Sequence, residues 1–170
     1  TGVQTCALPI YLLGDIGAHP EVIGAAPFAR FHAMFLRGRD AETALLTAVD
    51  PVLEIHTGDL SPYVSDGALQ KMASMEDGLI LGRSLAANLD VATGDQVRIL
   101  LIEDGNSGSS SAGQAGAVLT FRVLGILDSG TEVDESLALA SIGGVYKMLG
   151  RPPQINGVRV KLDQLFDAPR

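Results

Sequence analysis

The chain has 170 residues, 46% of them apolar and 19% charged, a balance that belongs to folded rather than disordered protein. That length suits one domain, or two small lobes, with enough material for a real core. A formal net charge of −8 argues against a nucleic-acid partner, which would call for a basic face, and no window reaches about 18 consecutive apolar residues, so no membrane-spanning helix is expected within it.

Residues 1–10, TGVQTCALPI, match the in-frame translation of a common sequencing-library adapter, and they are set aside from the fold reasoning as a foreign segment. The only cysteine, Cys6, lies inside them, so the remainder has no thiol, disulfide or Cys-ligated metal, a usage that fits a periplasmic or extracellular site. The chain starts without Met and stops abruptly at Asp167-Ala168-Pro169-Arg170, which reads as a piece of a longer protein.

From Tyr11 the first element is short, and His19-Pro20 ends any helix there, because the residue before proline avoids the α region. Glu21 to Ala26 and Phe28 to Leu36 read as strand material broken at Pro27. Gly38-Arg39-Asp40 is a turn, and Ala41 to Val49 its hairpin partner strand, stopped by Asp50-Pro51. Short helical turns are expected around Val52–Ile55, Leu60–Val64 and Ala68–Met72.

Gly78 to Ile126 organises the rest. Leu79, Ile80 and Leu81 form a short apolar strand. Leu81, Leu85 and Leu89 recur at helical spacing, with Asn88 and Asp90 as stop signals. Thr93-Gly94-Asp95 marks a turn. Val97, Ile99 and Leu101 then alternate with Gln96, Arg98 and Leu100, the period of a half-buried strand. After a Gly/Ser-rich insert, Val118 to Ile126 resumes the strand pattern with Phe121 and Val123 on one face. The expected picture is a helix packed on an antiparallel pair with one long loop at its far end.

Asp128-Ser129-Gly130 is a turn, Leu137 to Ala140 a short strand, and Ser141 a cap for a helix through Val145, Met148 and Leu149, ended by Gly150-Arg151-Pro152-Pro153. Gly157 to Leu162 alternates cleanly, its apolar face being Val158, Val160 and Leu162. Strands and helices intersperse without a repeat, which points to an α+β class.

Candidate chemistry is sparse. His19, His32 and His56 form no ligand pair, and a metal needs several convergent donors. Glu103 and Asp104 lead into a glycine loop with no further ligands, and Glu132, Asp134 and Glu135 lack the spacing of a calcium loop, so both groups read as solvated. Gly105 to Gly116, GNSGSSSAGQAG, lacks the Gly-Lys-Ser/Thr ending of a phosphate loop and has the composition of a flexible linker. No Ser sits in a GxSxG elbow and no convergent set of titratable groups is evident, so no catalysis and no cofactor are expected. Hairpin loops are normally two to five residues. This one is therefore either a partner-recruiting tip or a tolerated insertion.

Five stretches occur in a familiar order: TAVDP (47–51), GLILGRSLAANLDVATGDQV (78–97), FRVLGILDSG (121–130), VDESLALASI (133–142) and the closing GVRVKLDQLFDAPR. Together they resemble the periplasmic domain of the lipoprotein-releasing ABC permeases, the LolC/LolE type within the MacB/FtsX-like group. The resemblance covers Tyr11 to Arg170. It implies a MacB-like periplasmic core domain with an incomplete porter-like lobe (11–75 and 131–170) and an inserted Sabre-like lobe (76–130) carrying the long hairpin loop 103–119. It implies a domain without catalysis on the bacterial inner membrane, facing the periplasm. There the permease releases lipoproteins to a LolA-like chaperone, driven by a LolD-like ATPase and working with a second permease subunit. The alternatives are a MacB- or FtsX-like permease domain and a free periplasmic module that recruits another protein. The family's chaperone-gripping hook corresponds to Glu103, Asp104, Gly105, Asn106, Ser107, Gln114, Val118 and Leu119. Family members usually stiffen it with proline, whereas this stretch holds mostly Gly, Ser, Ala and Gln and has no proline. Ordering such chain on binding is costly, so weak chaperone binding at best is expected.

Overall fold

The computed structural model describes residues 10–57, 60–102 and 116–163. Helix α1 (Ile10–Gly17) leads into β1 (Val22–Arg37), which pairs with β2 (Asp40–Val49) across a two-residue loop, with Arg37 opposite Asp40. Gly38 sits there at φ +58, at the first central position, where hairpin turns of this kind take glycine. Asp50 Oδ1 accepts from the N–H groups of Val52 and Leu53 at 3.0 and 3.2 Å and so caps α2 (Pro51–Thr57), whose first residue is proline. Two 3₁₀ turns (Ser61–Tyr63 and Ser65–Gly67) precede α3 (Ala68–Ser74).

Strand β3 (Gly78–Gly82) runs straight into α4 (Arg83–Asn88), which ends with Asp90 at φ +51, a conformation Asp tolerates better than most residues. Then follow β4 (Gln96–Ile102), β5 (Val118–Leu127), α5 (Val133–Ser136), β6 (Leu137–Ser141), α6 (Ile142–Leu149) and β7 (Gly157–Leu162). Ser141 Oγ accepts from Gly144 N–H at 3.5 Å, and Gly150 closes α6 at φ +66, so the cap and stop expected for this helix are both in place.

The strands form one mixed sheet in the order β2-β6-β3-β5-β4-β1-β7, with a further β1–β2 ladder that closes all of them except β7 into a ring. The β2–β6 and β3–β5 pairs are parallel and the others antiparallel. The ladders β1–β4 and β3–β6 join residues 76–130 to the stretches on either side of them, so strands from both expected lobes share this sheet. The inward face carries Phe35, Leu46, Leu81, Ile99, Leu101 and Phe121, packed with Leu85 and Leu89 of α4 and Val145 of α6. A second cluster lies on the outward face, where Val49, Ile80, Leu124 and Leu139 meet Ala68, Leu69 and Met72 of α3. Strand alternation sends successive side chains into one cluster or the other, which is why β3 is buried on both faces.

Three expectations need correction. Pro27 does not break the strand: β1 passes through it. Pairing with β2 starts only at Phe28 and with β4 only at His32, so at Pro27 the strand has β7 alone for a neighbour and the missing N–H deprives no second ladder. Strand β7 does not pack the face that its alternation marks as apolar. Val160 and Leu162 remain 39% and 37% exposed, while Arg159 turns toward α2 and ion-pairs with the buried Glu54 carboxylate. The acidic group at Glu132, Asp134 and Glu135 is not uniformly solvated either: Glu132 and Glu135 are exposed, but Asp134 is buried.

Candidate partner-binding hairpin

The hairpin of β4 and β5 is held at its open end, where β4 begins and β5 passes Arg122, by local chemistry. Gly94, at φ +98, donates its N–H to Val123 O at 2.8 Å, and Val123 N–H donates to Asp95 O at 2.9 Å. The Asp95 carboxylate accepts from Ala92 N–H at 2.9 Å and ion-pairs with Arg37 at 3.1 Å, tying the hairpin to β1. The turn signal read at Thr93-Gly94-Asp95 thus marks the place where the pair is anchored. From Gln96↔Arg122 the ladder runs to Leu100↔Val118, and Leu101 N–H still reaches Ala117 O at 3.1 Å. Val97, Ile99, Leu101, Leu119, Phe121 and Val123 point into the core, so the two arms are rigidly seated up to the far end.

Of the candidate contact residues, Glu103, Asp104, Gly105, Asn106, Ser107 and Gln114 lie outside the described residues. Val118 and Leu119 are described, and they differ. Val118 faces outward and is 57% exposed, whereas Leu119 is 5% exposed and belongs to the inner core, so only Val118 is available to a partner. Beside it Ile102, the last described residue of β4, is 44% exposed.

Two buried carboxylates lie elsewhere among the described residues, and both are spoken for. Burial pushes the Asp134 carboxyl upward, but hydrogen bonds from the Ser129 hydroxyl (2.7 Å) and the N–H groups of Ser129 (3.0 Å) and Gly130 (2.9 Å) outweigh it and hold it below its usual value. Its work is to close the loop between β5 and α5. The backbone of Asp134 in turn presses on Gly82, where an added Cβ would meet its carbonyl oxygen at 2.2 Å. For Glu54 the balance goes the other way: burial raises its carboxyl further than the charge and hydrogen bond of Arg159 lower it. Stability from that group is therefore fully present below its ordinary value of 4.5 and is lost as pH rises through the raised folded value. The sequence pattern marks neither residue: Asp134 reads as one of a solvated acidic group, and Glu54 is a lone acid among Val52, Leu53 and Ile55.

His19, His32 and His56 stand on the α1–β1 connection, on β1 and on α2, and His56 Nδ1 is occupied with Val52 O at 2.8 Å. Among the described residues no group of three or more His, Cys, Asp or Glu side chains is placed to hold a metal ion. No helix among them is long and apolar enough to cross a membrane.

Comparison with known proteins fits this geometry. No family model matches the chain. In fold it is similar to the extracellular domain of the noncanonic ABC-type transporter YknZ from Gram-positive bacteria, with a TM-score of 0.58 and 11% identity over 90% of this chain and 72% of that one. It is equally similar to the periplasmic region of MacB from Actinobacillus actinomycetemcomitans, with a TM-score of 0.58 and 14% identity over 93% of this chain and 66% of the other. The fold is therefore that of the extracytoplasmic domains of MacB-like ABC transporters.

In sequence the resemblance is narrower. The chain is 29% identical over 150 residues to the lipoprotein-releasing system transmembrane protein LolC of Xylella fastidiosa, covering 88% of this chain and 35% of that protein. It is 28% identical over 151 residues to the lipoprotein-releasing system transmembrane protein LolE of Haemophilus influenzae, with 88% and 35% covered. The chain thus spans about a third of the length of these relatives and is similar to both LolC and LolE.

Proposed function

We propose that this chain is the periplasmic domain of an inner-membrane ABC permease of the LolC/LolE type, which releases lipoproteins from the membrane and passes them to a periplasmic chaperone. The observation that carries the reading is the similarity to LolC and LolE across nearly nine-tenths of the chain, on a fold shared with MacB-like extracytoplasmic domains. On this reading the domain performs no chemistry. A LolD-like ATPase drives the cycle from the cytoplasm, and a second permease subunit completes the assembly. Residues 76–130 correspond to the inserted Sabre-like lobe, and the flanking stretches to the porter-like lobe, built together through the shared sheet. The far end of the β4–β5 hairpin, with Val118 on its outer side, is the contact for a LolA-like chaperone.

A MacB-type exporter is the second reading, favoured by the TM-score of 0.58 to the MacB periplasmic region. Titration of the chain with a LolA-like chaperone by calorimetry tests the first. Weak, saturable binding that is abolished when residues 105–116 are replaced by a two-residue turn is expected. Tight binding that survives the replacement removes the hairpin from the account.

A further inference from the structure

Outside the ring, β1 continues as a two-stranded ribbon with β7. From Val22 to Pro27 its ladder runs to β7 alone among the described residues, since pairing with β2 starts at Phe28 and with β4 at His32. Neither apolar cluster draws a side chain from this part of β1 or from β7. Polar links hold the ribbon's two ends instead. At one, Asp163 N–H donates to Glu21 O at 3.0 Å. At the other, Asn156 donates its N–H to Phe28 O at 2.9 Å, and its Oδ1 accepts from Arg30 N–H at 2.7 Å. Between the ends lies α2. An added Cβ at Gly24 would meet Thr57 Oγ1 at 2.7 Å, and Arg159 of β7 ion-pairs with Glu54, which is 1% exposed. Pro51, Glu54 and Thr57 form the buried side of α2, whereas Val52 and Leu53 are exposed and Ile55 is what it adds to the outer cluster.

We propose that the ribbon and α2 form a strap that opens as one unit while the ring stays folded, with the Glu54–Arg159 pair as its clamp. The ribbon has ladder hydrogen bonds but no share in either apolar cluster, and segments of that kind lie at the low end of local stability. Helix α2 has seven residues, too few to persist in water without a surface to pack on, so lifting the ribbon off its buried side unravels it. Closing the strap buries the Glu54 carboxylate, which is tolerable only with a cation beside it, and Arg159 brings that cation from β7. Burial raises the Glu54 carboxyl further than Arg159 lowers it, so the charge is held there at a cost. A buried pair of this kind adds little stability over apolar side chains of the same volume, and its best-attested use is to fix a register or a switch. The register is marked at the same strand: an added Cβ at Gly157 would meet the Phe28 ring at 2.6 Å, so a slip that puts a larger residue there is blocked. Helix α1 leads into β1 and Asp163 follows β7, so a displacement on either side reaches the ring through the strap.

Hydrogen exchange on the 170-residue chain, read by mass spectrometry, tests the strap and its clamp separately. In the parent, residues 22–27, 52–57 and 157–162 are expected to open together, at least about ten-fold more readily than β3 to β6. Arg159→Met keeps an apolar stem and leaves Glu54 buried without its cation. Exchange should then rise at least about ten-fold in α2 as well as in β7, with β3 and β5 unchanged. Glu54→Met combined with Arg159→Met removes both charges and should return both segments to the parent rate or below it. Loosening of β7 without α2 would overturn the strap, as would a single variant in which the ring loosens equally or fails to fold. Exchange that Arg159→Met leaves unchanged, or loosening that persists in the double variant, would overturn the clamp.

Discussion

The two halves of the outward sheet face obey the same alternation and end differently. On one half Val49, Ile80, Leu124 and Leu139 are sealed under α3 and its neighbouring turns. On the other, Met34, Leu100, Ile102 and Val118 occupy equivalent outward positions and stay half-buried or exposed among the described residues. Apolar residues at outward positions therefore mean two things in one molecule: core where a helix covers them, and surface where none does. The covered half is a stability element and the uncovered half a candidate contact surface.

That contrast can be broken by substitution. Ile80→Ala, in the covered half, should cost about 2–5 kcal/mol in urea unfolding, because the removed methylenes leave a cavity under Leu69 and Met72. A loss below about 1 kcal/mol would mean that the outer cluster is loosely packed and the two halves do not differ. Asp134→Asn should cost about 1–3 kcal/mol, since the Ser129 and Gly130 donors lose a charged acceptor. The sign with pH follows from the lowered carboxyl. Its contribution is present above the ordinary value of 3.8 and lost as pH falls through the lower folded value, so the variant should lack that acid-side slope in a stability–pH series. The smallest effect is expected in the uncovered half, where Val118→Ser should stay within about 0.5 kcal/mol of the parent. A larger loss would show that something within the chain covers Val118 after all.

What could be read from the sequence was local. The hairpin turn at Gly38-Arg39-Asp40, the strand stop at Asp50-Pro51, the Ser141 cap and the Gly94 turn each depend on residues a few positions apart, and each is where the pattern put it. The ladders that close the ring are non-local. Nothing within 78–126 indicates that β3 lies parallel to β5, or that β4 finds β1 some sixty residues earlier. Pro27 misled because its effect depends on how many neighbours the strand has at that point, and β7 misled because Arg159 finds a buried partner in a distant helix. For the candidate site, the long hairpin was legible from composition. The division of labour between Val118 and Leu119 could be read from alternation, which puts Leu119 on the face of Phe121 and Val123 and leaves Val118 opposite.

The central claim is that this chain is the extracytoplasmic part of a permease, and the complete reading frame recovered from the source DNA tests it most directly. The account predicts one apolar span of about 20 residues before Tyr11 and three more after the domain ends, with no ATPase fused to the frame. A frame with a cleaved signal peptide and no membrane spans would contradict it and leave a free periplasmic module.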